Sequence, residues 1–258
     1  MYALMAGLGL IAVIFVCHGL GKKRGMPPYD FLGGMVVMAV FAILGAKLLY
    51  GLTNIGLLTE IVVHADEFKS INGILKGIGI AFDGMVFYGG VLGAITGMAV
   101  WLKVTKRPWA DYLDLLAVGI PLFHAIARIG CFLGGCCYGI ECDFGLVYTE
   151  NPIEQANGVP RFPVQLLESA CEAVLFAVLA SFFVRKRFHG ELIWVWLGSY
   201  AVIRFFDEFL RGDAYRGFLG PLSTSQWISL AIIVVVIVHV ARSKRAAAGS
   251  GGASLQAG

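Results

Sequence analysis

Charge is scarce in this chain. Only 14% of its 258 residues are Asp, Glu, Lys or Arg, and the formal net charge is +3. A balance this small does not describe a protein that holds nucleic acid on a basic surface. Six cysteines are too few for a disulfide scaffold of this length. None of the common zinc spacings occurs either, so neither a metal nor a cofactor is expected. No basic stretch precedes the first apolar run, and no small-residue cleavage site follows it. That run is expected to be a retained membrane helix rather than a signal peptide. No internal repeat of the transporter kind is visible.

Apolar residues are abundant. They make up 58% of the chain, and the mean hydropathy of +0.79 lies outside the range of ordinary soluble domains. The basic residues gather between apolar runs, at Lys22-Lys23-Arg24, at Lys103, Lys106 and Arg107, at Arg185-Lys186-Arg187, and at Arg242, Lys244 and Arg245. Such clusters mark cytoplasmic span ends. The expected architecture is an all-α membrane protein with seven transmembrane helices, N-terminus out and C-terminus in, and short amphipathic external segments. The spans fall near 1–20, 31–50, 84–102, 113–129, 164–184, 192–210 and 228–241. External segments are expected at 51–80 and 140–162. Residues 1–245 read as one membrane domain, and 246–258 as a disordered Ala/Gly/Ser tail.

The few polar residues inside the spans carry the information. Arg128 sits in the stretch His124-Ala-Ile-Ala-Arg128-Ile-Gly130-Cys131-Phe-Leu-Gly134-Gly135-Cys136-Cys137-Tyr138-Gly139, where an apolar helix is expected to break into glycines and cysteines. An arginine at membrane depth costs at least roughly 2.5–3.5 kcal/mol on insertion scales, so it marks an anion site or a wet cavity. Glycines beside it let backbone amides approach a ligand. Tyr200, Arg204 and Glu208 fall four apart and share a helix face, with Asp207 and Arg211 beside it. They form either a self-neutralising ladder or, with Arg128, a phosphate clamp of two forked guanidiniums. His124 stands one turn before Arg128, as a packing residue or as a base. Asp83 is a helix-cap candidate. Cys131, Cys136, Cys137 and Cys142 leave three readings open: a disulfide, a metal site with His124, or soft lining of a pocket. Cys17 and Cys171 read as packing residues. His18, His64, His189 and His239 are given no role.

Several segments together resemble one family, the bacterial prolipoprotein diacylglyceryl transferases. Tyr2-Ala-Leu-Met5 resembles its Tyr-Gly-Leu-Met opening, and Gly45-Ala-Lys47-Leu-Leu-Tyr50 its Gly-Ala-Arg-Leu-Gly-Tyr. Asp83-Gly-Met-Val-Phe-Tyr88-Gly89-Gly90 resembles Gly-Gly-Met-Ser-Phe-His-Gly-Gly. Ala127 to Gly139 falls on the signature Gly-Arg-x-Gly-Asn-Phe-x-x-Gly-Glu-x-x-Gly. Pro163-Val-Gln165-Leu-Leu-Glu168-Ser169 is similar to Pro-Thr-Gln-Leu-Tyr-Glu-Ser, and 200–211 to Tyr-Gly-x-x-Arg-Phe-x-x-Glu-Phe-x-Arg.

The resemblance implies an enzyme of the bacterial inner membrane that moves the diacylglyceryl group of phosphatidylglycerol to an acceptor, such as a lipoprotein cysteine thiol, and releases glycerol phosphate. It implies that Arg128 and Arg204 are essential. Tyr2, Gly89, Gly90, Gly130 and Gly139 then join Gln165, Tyr200 and Glu208 around the lipid. The departures concern the acceptor. Tyr88 stands where the family has histidine, Cys131 where it has asparagine, and Cys136 where it has glutamate. Tyr88, His124, Cys136 and Cys137 are therefore the candidates for acceptor chemistry beside the two arginines. Two other functions stay open: a thiol-dependent membrane oxidoreductase on the same scaffold, and a lipid-binding or transport protein without catalysis.

Overall fold

The computed structural model describes residues 2–56, 84–151, 153–213 and 217–254. Most of the expected external segment at 51–80, with His64, and the cap candidate Asp83 lie outside them. In chain order the elements are α1 (Tyr2–Lys23), α2 (Asp30–Thr53), α3 (Phe87–Thr105), α4 (Trp109–Leu133), β1 (Glu141–Val147), β2 (Pro160–Arg161), α5 (Val164–Val184), α6 (Leu192–Asp207), β3 (Phe218–Leu219), β4 (Leu222–Ser223) and α7 (Thr224–Ser254). A 3-10 turn at Glu208–Leu210 follows α6 directly.

One expectation is corrected here, and a second is met in part. The described chain is mostly helical but not all-α, because β1 pairs with β2 and β3 with β4 in two short antiparallel sheets. Both lie in connections between helices, where backbone amides released from helices find partners in each other. Of the seven expected spans, five described helices are long and apolar enough to cross a membrane: Ala3–Lys23, Asp30–Thr53, Trp109–Leu133, Val164–Val184 and Thr224–Arg245. The sixth expected span, α6, has 16 residues. At 1.5 Å per residue that gives about 24 Å, short of a hydrocarbon core of about 30 Å. Leu4, Phe15, Val235 and Ile237 are each more than half exposed. In a lipid bilayer such side chains meet acyl tails.

The chain divides into two compact units, residues 1–24 with 110–258, and residues 25–109. The second is an antiparallel hairpin of α2 and α3 built on glycine. Gly89, Gly93 and Gly97 recur every four residues along one stripe of α3, so α2 can come to backbone distance. A Cβ on Gly89 would run into Gly45, one on Gly93 into the Phe41 carbonyl, and one on Gly97 into Phe41 and Val37. Arg107 pairs with Asp30 at 2.7 Å and ties the far end of the hairpin.

The first unit is arranged around α4. More than half of its apolar window is buried, against a third or less in the other four long helices. α1 approaches it where a Cβ on Gly119 would touch Val13 and Cys17. Arg24 closes one end of the bundle, donating to the Phe183 carbonyl at 2.8 and 3.0 Å and pairing with Asp111 at 3.1 Å. Phe183 lies in the last turn of α5, where its carbonyl also accepts the Lys186 amide at 3.2 Å, so a cation there meets a carbonyl at the negative helix end. Asp114, fully buried, accepts the Gly190 and Leu192 amides at 2.7 and 3.0 Å. It caps the N-terminus of α6 from a neighbouring helix, much as a local cap residue would. His189 and His239, without a role in the sequence, sit beside Asp111 and Glu191 at 3.0 and 2.6 Å.

The glycine stripe predicts the outcome of one substitution. Gly93→Leu should destabilise the protein by roughly 1–3 kcal/mol or more, because the added volume meets backbone rather than a movable side chain. Thermal unfolding of the purified protein should show a lowered Tm. An unchanged Tm would exclude the close approach of α2 and α3.

Candidate functional site

Three helices of the first unit present their polar residues to one another. α4 offers His124 and Arg128 one turn apart. α5 offers Gln165, Glu168, Ser169 and Glu172, spaced so that all four share one buried face. α6 offers Tyr200, Arg204 and Asp207, and the turn after it offers Glu208. Ser169 Oγ donates to the Ala125 carbonyl at 2.8 Å and pins α5 against α4.

The contacts interlock. Arg128 Nη2 pairs with Glu168 Oε2. His124 stands between two carboxylates, its Nε2 3.5 Å from Glu168 and its Nδ1 3.4 Å from Glu172. Its ring meets Tyr200 edge-on at 5.3 Å, and Tyr200 stacks on Trp196 at 5.8 Å. Arg204 pairs with Glu208 at 2.7 Å and donates to Ser225 Oγ at 3.2 Å. The side chains of Glu168, Glu172 and Glu208 are no more than 1% exposed. With water this far removed, each charge depends on its partners, and removing one partner of such a pair typically costs 3–5 kcal/mol. Both arginines keep a donor to spare. Arg128 Nε and Arg204 Nη1 are buried without a hydrogen-bond partner among the described residues. Two guanidiniums in separate helices, each braced by a carboxylate and each with an N–H left over, suit the oxygens of one phosphate.

The glycine–cysteine stretch folds differently from expectation. α4 does not break at Gly130 but runs on to Leu133. It ends in a Schellman motif: the Cys136 amide donates to the Cys131 carbonyl at 3.1 Å and the Gly135 amide to Phe132 at 3.1 Å, with Gly135 at φ 69°. The reversal brings Cys136 back over Cys131, a contact this motif commonly makes. Cys137 follows at φ 56°, a left-handed conformation uncommon for a residue with a Cβ. The Sγ atoms of Cys131, Cys136 and Cys137 all lie within 4.8 Å of one another, and all six cysteines are free thiols. Hydrogen bonds that Cys137 accepts from Cys131 and Cys136, with Arg211 and Arg128 nearby, hold its thiol below the ordinary range. Bonding to the Cys131 and Cys137 sulfurs pushes the Cys136 thiol up.

The remaining sequence candidates divide. Gln165, fully buried, donates to the Cys136 carbonyl at 2.8 Å and so braces the turn. Gly130 is buried within α4. Gly139 packs where a Cβ would strike the Phe162 carbonyl and approach that of Leu210. Tyr88, Gly89 and Gly90 belong to the α2–α3 unit, where Tyr88 is more than half exposed and Gly89 makes the helix contact described above. Tyr2 opens α1, and its side chain lies outside the described residues. Sequence reasoning gave no role to Glu168 or Glu172, which hold Arg128 and His124. The signal was available: two glutamates four apart in an apolar run are as anomalous as an arginine.

Buried ion pairs in a bundle of helices long and apolar enough to cross a membrane define a membrane protein. The comparisons with known proteins narrow that class. The model of the prolipoprotein diacylglyceryl transferase family matches residues 1–242, and the chain belongs to that family. It is 31% identical over 239 residues to phosphatidylglycerol–prolipoprotein diacylglyceryl transferase 2 of Clostridium perfringens, covering 90% of this chain and 86% of that protein. It is 32% identical over 240 residues to the phosphatidylglycerol–prolipoprotein diacylglyceryl transferase of Clostridium tetani, covering 92% and 90%. The protein of that name from Geobacter sulfurreducens is 30% identical over 253 residues, covering 94% and 91%.

The Arg128–Glu168 pair is open to a double-mutant test. Glu168→Leu alone should destabilise the protein by about 3–5 kcal/mol, since it strands a buried guanidinium. Adding Arg128→Met should recover much of that loss. If thermal unfolding finds the two losses simply additive, the pair is not coupled.

Proposed function

We propose that this chain transfers the diacylglyceryl group of phosphatidylglycerol to a lipoprotein cysteine thiol in the bacterial inner membrane. The observation that carries the proposal is the pair of buried arginines on α4 and α6, each braced by a glutamate and each with an unused donor, in a chain of this family. In the reaction the acceptor sulfur attacks the glyceryl carbon that bears the phosphate. A C–S bond forms, the C–O bond breaks, and the electron pair leaves with the glycerol phosphate. Arg128 and Arg204 hold the phosphate and stabilise the charge that grows on the departing oxygen. Glu168 and Glu208 aim the guanidiniums, so little reorganisation is needed when that charge develops. Gly130, Gly139 and Gln165 shape the turn beside the phosphate. Tyr200 and Tyr2 serve the lipid.

A thiol titrates near ~8.5, so attack is faster with a base. His124 is that base. Glu172 at Nδ1 orients the ring and balances the imidazolium that forms, as a carboxylate does behind a catalytic histidine. Tyr88 stands where the family has histidine, and a phenol of reference pKa near ~10 is a poor base at neutral pH. The acceptor assignment therefore rests on His124 rather than Tyr88.

The membrane arrangement we propose has seven spans within residues 1–245, N-terminus out and C-terminus in. Basic clusters at one end each of α1, α3 and α5, and at the end of the apolar Thr224–Arg245 part of α7, support it. The 3-10 turn at Glu208–Leu210 adds the turn that α6 needs to approach span length.

Two experiments test these readings. With labelled phosphatidylglycerol and a lipoprotein-signal peptide, the purified protein should release glycerol phosphate. Arg128→Ala and Arg204→Ala should abolish release, with poor rescue by Lys, which loses the fork. His124→Gln should lose roughly 10²-fold or more in kcat while still binding lipid. Wild-type turnover in Arg128→Ala would refute the phosphate site, and wild-type turnover in His124→Gln would refute the base. Cysteine-accessibility labelling should find the clusters at 22–24, 103–107, 185–187 and 242–245 all on the cytoplasmic side, and any one of them outside would break the seven-span arrangement.

A further inference from the structure

We infer that Cys131, Cys136 and Cys137 form a zinc site whose fourth position takes the acceptor thiol. The inference rests on the transferase reading above for its acceptor and stands by itself as a metal site. It also reverses the sequence expectation that no metal is bound.

Geometry carries it first. The three sulfurs lie within 4.8 Å of one another. Thiolates on a tetrahedral zinc, with Zn–S of about 2.3 Å, stand about 3.8 Å apart, which modest side-chain rotation reaches from here. The turn that brings them together is built for it. The Schellman motif sets Cys136 over Cys131, and Cys137 is held in the left-handed region that its Cβ disfavours. Two side chains from outside clamp this turn: Asn151 Nδ2 donates to the Gly135 carbonyl at 2.7 Å, and Gln165 Nε2 to the Cys136 carbonyl at 2.8 Å. A turn strained at one residue and braced from two sides holds its sulfurs in place before an ion arrives.

Chemistry selects the ion and its use. Three thiolates suit a soft d¹⁰ cation and exclude Mg²⁺ and Ca²⁺. With Zn²⁺ the site has one net negative charge, and the cations beside it match that sign. Arg128 Nη1 is 3.8 Å from Cys131 Sγ, and Arg211 lies within electrostatic reach of Cys137. Among the described residues no fourth His, Cys, Asp or Glu joins the group. Three protein ligands with an open position are the pattern of zinc that handles substrate rather than zinc that staples a fold. The reaction proposed above is an S-alkylation, for which the thiolate is the nucleophile. A thiol that coordinates zinc is deprotonated outright.

The acceptor thiol thus loses its proton on coordination, and His124 receives it. The sulfur pair attacks the glyceryl carbon, and the C–O pair leaves on the phosphate held by Arg128. The neutral thioether, a weak ligand, dissociates. No electron is gained or lost by the ion. The 3.8 Å contact between Arg128 and Cys131 brings nucleophile and leaving group to one place.

The test uses the full chain purified in detergent. Zinc measured by mass spectrometry should approach about one ion per chain. It should be lost in Cys136→Ser and in Cys137→Ser, and kept in Cys17→Ser and Cys171→Ser. In the cobalt-substituted protein, a peptide with a single cysteine should shift the sulfur-to-cobalt absorption, and its serine counterpart should not. Where a serine variant fails to fold, cadmium titration of the wild type counts the thiolates bound. Three supports the site, and none or one overturns it. A disulfide among the three cysteines, or no retained metal, also overturns it. A cobalt spectrum indifferent to the cysteine peptide overturns the acceptor role. Release of glycerol phosphate is read separately. Metal without release sinks the transferase reading and leaves the site, whereas release without metal sinks the site alone.

Discussion

The contact on which the rest of the larger unit depends is the ion pair of Arg128 and Glu168. A guanidinium between membrane helices has no water to fall back on, so its partner decides where the helix carrying it can sit. Glu168 lies on α5, and pairing it with Arg128 sets α4 and α5 in register. Ser169, one residue on, then reaches the Ala125 carbonyl, and Glu172, one turn on, reaches His124. Tyr200 closes on the other side of the same imidazole. The cluster is cooperative in the plain sense that each charge is tolerable only because the others are present.

That same constraint makes the cluster useful. Charges held in a dry interior by fixed partners do not need to reorganise when a reaction creates new charge beside them. Each arginine gives up part of its fork to a glutamate and keeps the remainder. An arginine without the glutamate would be costly to bury and loosely aimed. In the proposed phosphate site the carboxylates therefore aim the guanidiniums, although on charge alone they oppose an anion.

The two ends of this bundle use different means. At one end Arg24 and Asp114 cap helices from a distance, joining a terminal carbonyl of α5 and the first amides of α6 to side chains far away in sequence. At the other, α4 terminates by its own backbone, through Gly135 and the turn that follows. Capping from a distance fixes how helices pack, whereas local capping fixes where a particular side chain emerges. The thiol trio stands at the locally capped end, where position matters most.

The sequence by itself determined the membrane class, the placing of apolar runs between basic clusters, and the anomaly of Arg128 and Arg204 as charges within apolar segments. These follow from composition and from the cost of a charge at membrane depth, which depend on residue type and not on neighbours. The face shared by Tyr200, Arg204 and Glu208 was legible because helical spacing is local. The family was legible from short motifs spread along the chain. The partners of Arg128 and His124 were not. Glu168 and Glu172 are some forty residues away, and pairing between helices is set by how the helices cross. Nor was the continuation of α4 past Gly130 legible, because a glycine within a helix and one after it look alike until the hydrogen bonds are seen. The gathering of Cys131, Cys136 and Cys137 was decided by a left-handed turn and two clamping amides, Asn151 and Gln165, brought from elsewhere in the chain. Sequence spacing puts those cysteines near one another, but only the folded backbone turns their sulfurs to a common point.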